Sequence, residues 1–134
     1  MKVLKFGGTS VSSAENIEKV VNIIVESARE VPVIVVVSAF GGVTDDLQKL
    51  GELANKKDAS YKRLFDEVVE RHLQTAQELD LSKASLETLM SKFNSLENLF
   101  QGIFLLNEFS NKTKDKVLSD GELLSSYVIS VVIK

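Results

Sequence analysis

A chain of 134 residues, 44% hydrophobic and 26% charged with a single proline, is long enough for one domain with its own core. A net charge of −3 argues against nucleic acid as the main partner, and the absence of cysteine excludes disulfides and thiolate metal sites. No apolar run is long enough for a membrane span and the first residues lack the build of a signal peptide, so a cytoplasmic protein handling small molecules is expected.

Residues 2–6, KVLKF, read as a short strand. Val3 and Leu4 are adjacent and both apolar, so alternation fails and both faces are expected to be covered. After GGTS comes a helix with a capping signature, Ser12 followed by Glu15, and a stripe of Ile17, Val20, Val21, Ile24 and Ala28. Pro32 ends that pattern, and VIVVVSA (33–39) opens with a β-branched run that reads as a central parallel strand covered on both faces. Strand, helix, strand over 38 residues is a βαβ unit with a right-handed crossover expected.

The loop SAFGGVTDD (38–46) leads into a second helix, predicted from Asp46, with Leu47, Leu50, Leu53 and Ala54 on one face. Two longer apolar stripes follow, Tyr61 to Leu79 and Leu86 to Phe104, and the short link DLS (80–82) predicts an antiparallel helical hairpin. The charged residues of 61–92 read mostly as the solvated outer faces of that hairpin. The polar stretch NEFSNKTKD (107–115) reads as a connection, with a last helix starting near Ser119. The chain closes on Val131-Val132-Ile133-Lys134 with no terminating polar turn, and two strands make a small sheet; together these suggest a cut rather than a finish.

Three segments could carry chemistry, each where a strand or loop runs into a helix, the edge at which open α/β sheets bind ligands. In KFGGTS (5–10), Gly7 and Gly8 would let backbone N–H groups approach an anion, the next helix would offer its positive end, and Lys5 would neutralise phosphate charge. The lysine precedes the glycines, unlike the best-known phosphate loop, and a plain βα turn explains the same residues. SAFGGVT (38–44) repeats the logic, although Thr44 also suits a helix N-cap and the glycines a turn. SDGE (119–122) fits a capping box from Ser119 to Glu122, or else Glu122 holds a substrate ammonium group; spacing does not choose. His72, the single histidine, sits on an apolar helical stripe without an orienting partner and reads as a packed helix residue rather than a base.

Taken together, KFGGTSV, VVSAFGGVTDDL and LSDGELLSS resemble aspartokinases of the amino-acid-kinase fold, in the right order and over essentially the whole chain. FNSLENLFQGIFLLNE (93–108) is most similar to the kinase portion of bifunctional aspartokinase–homoserine dehydrogenases. The resemblance implies a partial α/β fold, a parallel βαβ core with a long helical hairpin, from a family that is three-layered α/β/α when intact. It also implies transfer of the ATP γ-phosphoryl group to the side-chain carboxylate of L-aspartate, the step that opens the routes to threonine, methionine and lysine. Carried over by position, Lys5 would contact the transferring phosphate. Phe6, Gly7, Gly8, Thr9 and Ser10 would form the loop around it. Ser38, Ala39 and Thr44 would lie on the aspartate side, and Glu122 would bind the ammonium group. ATP with Mg²⁺ is implied, with most of the nucleotide site, the regulatory domains and any dehydrogenase domain expected outside residues 1–134. The chain alone is therefore expected to be inactive. Two other readings stand beside this one: another amino-acid kinase, acting on glutamate or acetylglutamate, and a non-catalytic half-domain that self-associates through its open sheet edge.

Overall fold

The computed structural model of the chain describes residues 1–133; Lys134, the last residue of the apolar chain end noted above, lies outside the described residues. Strand β1 spans Lys2–Phe6 and pairs in parallel with β2, Val33–Val37, in the register Lys2↔Val33 through Phe6↔Val37. The ladder is closed at both ends by backbone bonds, Lys2 N–H to Pro32 O and Ser38 N–H to Phe6 O, both 3.0 Å. Between the strands lie a 3-10 turn, Gly8–Val11, and helix α1, Ala14–Ala28. The rest is helical: α2, Val43–Asn55; α3, Tyr61–Glu78; α4, Lys83–Leu106; and α5, Asn111–Ile133.

The cap of α1 sits one residue later than the Ser12–Glu15 signature suggests. Ser13 is extended (φ −149°) and its Oγ accepts from Asn16 N–H at 3.2 Å, whereas Ser12 Oγ donates to Thr9 O at 2.8 Å. Ser12 thus fastens the 3-10 turn, and two adjacent serines divide two local tasks. The stripe is buried at Ile17, Val20, Val21 and Ile24, while Ala28 is exposed.

The hairpin α3–α4 forms as expected, with Asp80 in the left-handed region (φ 58°) and Ser82 Oγ capping α4 by accepting from Ser85 N–H. Helix α2 is the centre of the helical layer and packs against α3, α4 and α5. Fully buried Leu47, Leu50, Leu89, Phe93, Phe100 and Val117 form the heart of the core. The exit of α4 is fastened by Lys57, whose Nζ donates to the carbonyls of Phe104 (2.6 Å) and Leu105 (3.0 Å), where a cation meets the negative end of the helix. Lys57→Met, which keeps most of the stem and removes the charge, is expected to lower stability by about 1 kcal/mol in urea denaturation.

Two expectations are corrected. The sheet is not covered on both faces: Leu4, Phe6, Val33, Val35 and Val37 pack on the core, whereas Val3, Ile34 and Val36 are 65, 48 and 46% exposed. Helices α2 to α5 bury most of their apolar surface on one another, which leaves no layer among the described residues for the second sheet face. Helix α5 begins at Asn111 rather than near Ser119. Ser110 starts it, its Oγ accepting from Thr113 N–H at 3.3 Å, and the Lys116–Asp120 ion pair (2.8 Å) spans the place where a break was expected.

Candidate functional site

Parallel pairing sends both strands out at the same edge, so the loop after β1 and the loop after β2 start side by side. They touch through bare backbone. A Cβ on Gly8 would lie 3.4 Å from Gly41 Cα and 3.5 Å from Ala39 O; one on Gly41 would lie 3.1 Å from Gly8 O. A side chain at Gly41 would press on the first loop, whereas a Cβ at Gly8 would sit in ordinary van der Waals contact. Gly42 ends the second loop at φ +85°, a left-handed conformation that glycine adopts without strain, and it serves as the N-cap of α2. The backbone N–H groups of Gly41 and Gly42 form none of the loop and turn backbone hydrogen bonds among the described residues.

The third segment reaches the same place from the far end of the chain. A Cβ on Gly121 would come within 2.9 Å of Leu47 Cδ1, 3.3 Å of Ala39 Cβ and 3.6 Å of Val43 Cγ1. Ala39 is therefore the meeting point, with Gly8 to one side and Gly121 to the other. Glu122, next along α5, is exposed and lines a groove of about 300 Å³ with Val35, Val36, Val37, Ser119, Leu123 and Ser126. Val36, which lines that groove, is also the ladder partner of Lys5. Lys5, Thr9, Ser10 and Thr44 are exposed, Phe6 and Ser38 are half-buried and Ala39 is buried. The structure thus brings the sequence-derived candidates to one edge of the sheet.

Two local readings change. Thr44 is the second residue of α2, which starts at Val43, and does not cap it. Ser119 and Glu122 lie within α5, so no capping box forms; Ser119 Oγ donates instead to Lys116 O at 2.8 Å. That removes the capping explanation and leaves Glu122 as an exposed residue on the face of α5.

Arg71 escaped the sequence reading, which assigned the hairpin charges to solvation. Its guanidinium donates from Nη1 to Gly41 O and from Nη2 to Ser12 O (3.1 Å), and stands 6.0 Å from the Phe40 ring centroid. Its neighbour His72 is fully buried, stacked on Phe40 at 4.6 Å and edge-on to Phe93 at 5.1 Å. Nδ1 of His72 donates to Val68 O at 2.7 Å, while Nε2 is buried without a partner. Burial pulls the imidazole down to about 4, with the Arg71 charge adding to the effect and the Val68 bond opposing it. A neutral, enclosed ring is packing, as the sequence suggested. Asp46, in the first turn of α2, is raised by burial against the opposing pull of the Arg71 charge.

Among the described residues no group of three histidine or acidic side chains converges to hold a metal ion, and no helix is long and apolar enough to cross a membrane.

Residues 1–133 match the amino acid kinase family model. The chain is 37% identical over 131 residues to aspartokinase 2, chloroplastic, of Arabidopsis thaliana, covering 96% of this chain and 23% of that protein. It is 37% identical over 134 residues to the bifunctional aspartokinase/homoserine dehydrogenase, chloroplastic, of Daucus carota, covering 97% and 14%. The fold is similar to that of E. coli aspartokinase III in complex with aspartate and ADP, with a TM-score of 0.85 at 24% identity over 99% of this chain and 28% of that one. The chain thus spans roughly a quarter or less of the length of these relatives.

Proposed function

Since the chain belongs to the amino acid kinase family, we propose that it is the acceptor-side part of an aspartate kinase, the activity that phosphorylates the β-carboxylate of L-aspartate from ATP and leads towards threonine, methionine and lysine. One observation carries the reading: three glycine-bearing segments far apart in sequence converge at Ala39, and Lys5 pairs with Val36, which lines the same groove as Glu122. A cation and an anion near one edge, with glycine backbone at the same edge, suit a zwitterionic amino acid next to a phosphate.

In this reading Lys5 neutralises the transferring phosphoryl group. Phe6 leads into the loop, where Gly7 and Gly8 offer backbone donors and Thr9 and Ser10 offer hydroxyls. Ser38, Ala39 and Thr44 border the amino acid, and Glu122 accepts from its ammonium group. Phosphoryl transfer calls for positioning and charge neutralisation more than for covalent chemistry. The attacking carboxylate is already ionised at neutral pH, so the burial of His72 removes nothing the reaction needs. Nucleotide phosphates would meet the backbone donors of the glycine loops. Among the described residues no set of three acidic or histidine side chains converges on Mg²⁺, and no step is routed through it.

The 134-residue chain is expected to bind L-aspartate in calorimetric titration, and Glu122→Gln is expected to weaken binding about tenfold by removing a charge-assisted bond. Tighter binding of glutamate or acetylglutamate would move the assignment to another amino-acid kinase. A chain blind to all three that assembles in light scattering would support the non-catalytic reading. With ATP and aspartate the chain alone is expected to form no hydroxylamine-trappable aspartyl phosphate.

A further inference from the structure

The two glycine loops come from different strands and meet closely at Gly8, Ala39 and Gly41, with Ser12 Cβ also beside Gly41. Van der Waals contact between bare chains holds a distance weakly. What spans them is Arg71, on α3, whose two guanidinium arms reach Ser12 O in the first loop and Gly41 O in the second. The same group lies over the second loop, since a Cβ on Gly42 would sit 3.9 Å from Arg71 Nη1. Because peptides are planar and trans, fixing the Gly41 carbonyl towards Arg71 turns the Gly42 N–H away from it. That N–H is one of the groups that make no backbone bond. The Phe40 ring braces the guanidinium and rests in turn on His72, so α3 holds the clamp from behind.

We propose that Arg71 is a positioning residue that fixes the spacing and peptide orientation of the two substrate loops by bridging the Ser12 and Gly41 carbonyls. The inference deepens the reading above, from which it takes the loops' roles. A planar fork is required: a lysine ammonium is a compact point charge on a flexible stem and replaces one arm.

Amide hydrogen exchange in the ligand-free chain tests it. Ser10 N–H bonds to Gly7 O in the first loop, and Val43 N–H to Phe40 O in the second. In Arg71→Met both amides are expected to exchange at least about tenfold faster while amides in the middle of α4 keep their rates, because losing bonds to a charged group opens the loops locally. Arg71→Lys is expected to keep the melting temperature near that of the wild type and to recover protection in one loop only. L-Aspartate affinity is expected to fall about tenfold in Arg71→Met. Unchanged loop exchange, acceleration spread equally through α4, or full recovery of both loops by lysine would overturn the proposal. If the wild-type chain binds no aspartate, the functional reading fails and the exchange rates still decide the clamp.

Discussion

Gly121→Val is expected to lower the stability of the chain by about 3 kcal/mol and to weaken L-aspartate binding with it. At Gly121 even a methyl group would lie 2.9 Å from Leu47 Cδ1 and 3.3 Å from Ala39 Cβ, and Leu47 and Ala39 are 0 and 1% exposed. Leu47 can turn aside only into a filled core, and Ala39 belongs to the substrate loop itself. The isopropyl group therefore moves α5 away from the loop, and Glu122 moves with it. Alanine is the informative control: its better helix propensity returns up to about 1 kcal/mol, so Gly121→Ala should lose about 1 kcal/mol net. Urea midpoints give the stabilities, and titration below the unfolding transition gives the affinity. A wild-type midpoint for Gly121→Val would show that α5 does not press on the loop.

Acid should destabilise the chain through His72. The ring is held neutral inside, with its ionisation lowered to about 4 from an ordinary 6.5. Between those values the unfolded chain carries the extra proton, so stability rises with pH across this window and is lost as pH falls through it. The full difference is about 3 kcal/mol, most of it gone by pH 4. His72→Phe preserves an aromatic ring between Phe40 and Phe93 and removes the titration. Its stability should change little between pH 7 and pH 5, where wild type declines; parallel curves would show that His72 is not the group responsible.

The βαβ start and the helical hairpin were legible because their patterns are long and periodic, and because Pro32 and the 80–82 link punctuate them plainly. The misreadings were local. SDGE satisfies a capping box and a continuous helix equally well; what decides is Gly121, which is there to let α5 approach Ala39 and not to turn the chain. Residues 111–116 look like a loop because most are solvent-facing, and a helix face that buries little leaves no apolar period to find. The uninterrupted run of β2 promised cover on both sides, but a strand's composition records which surroundings it suits and not whether they lie within the same stretch of chain. At the site, the glycines and hydroxyls were readable as a set. Arg71 was not, since a carbonyl-binding arginine and a solvated one have the same letter, and only the fold brings Ser12 and Gly41 within reach of one guanidinium.

The convergence at Ala39 also sets an order in time. On the ribosome β1, α1 and β2 can pair once residue 38 has emerged, because nothing that closes the ladder lies downstream of Ser38. The second glycine loop follows at once, Arg71 later, and Gly121 last of all. At about 5–20 residues per second the ladder precedes α5 by several seconds. During that interval Ala39 and Leu47 lack α5 against them, and the nascent loop is at its most exposed to proteases and to mispairing. The residue that completes the crevice is thus also the one that ends its vulnerability during synthesis.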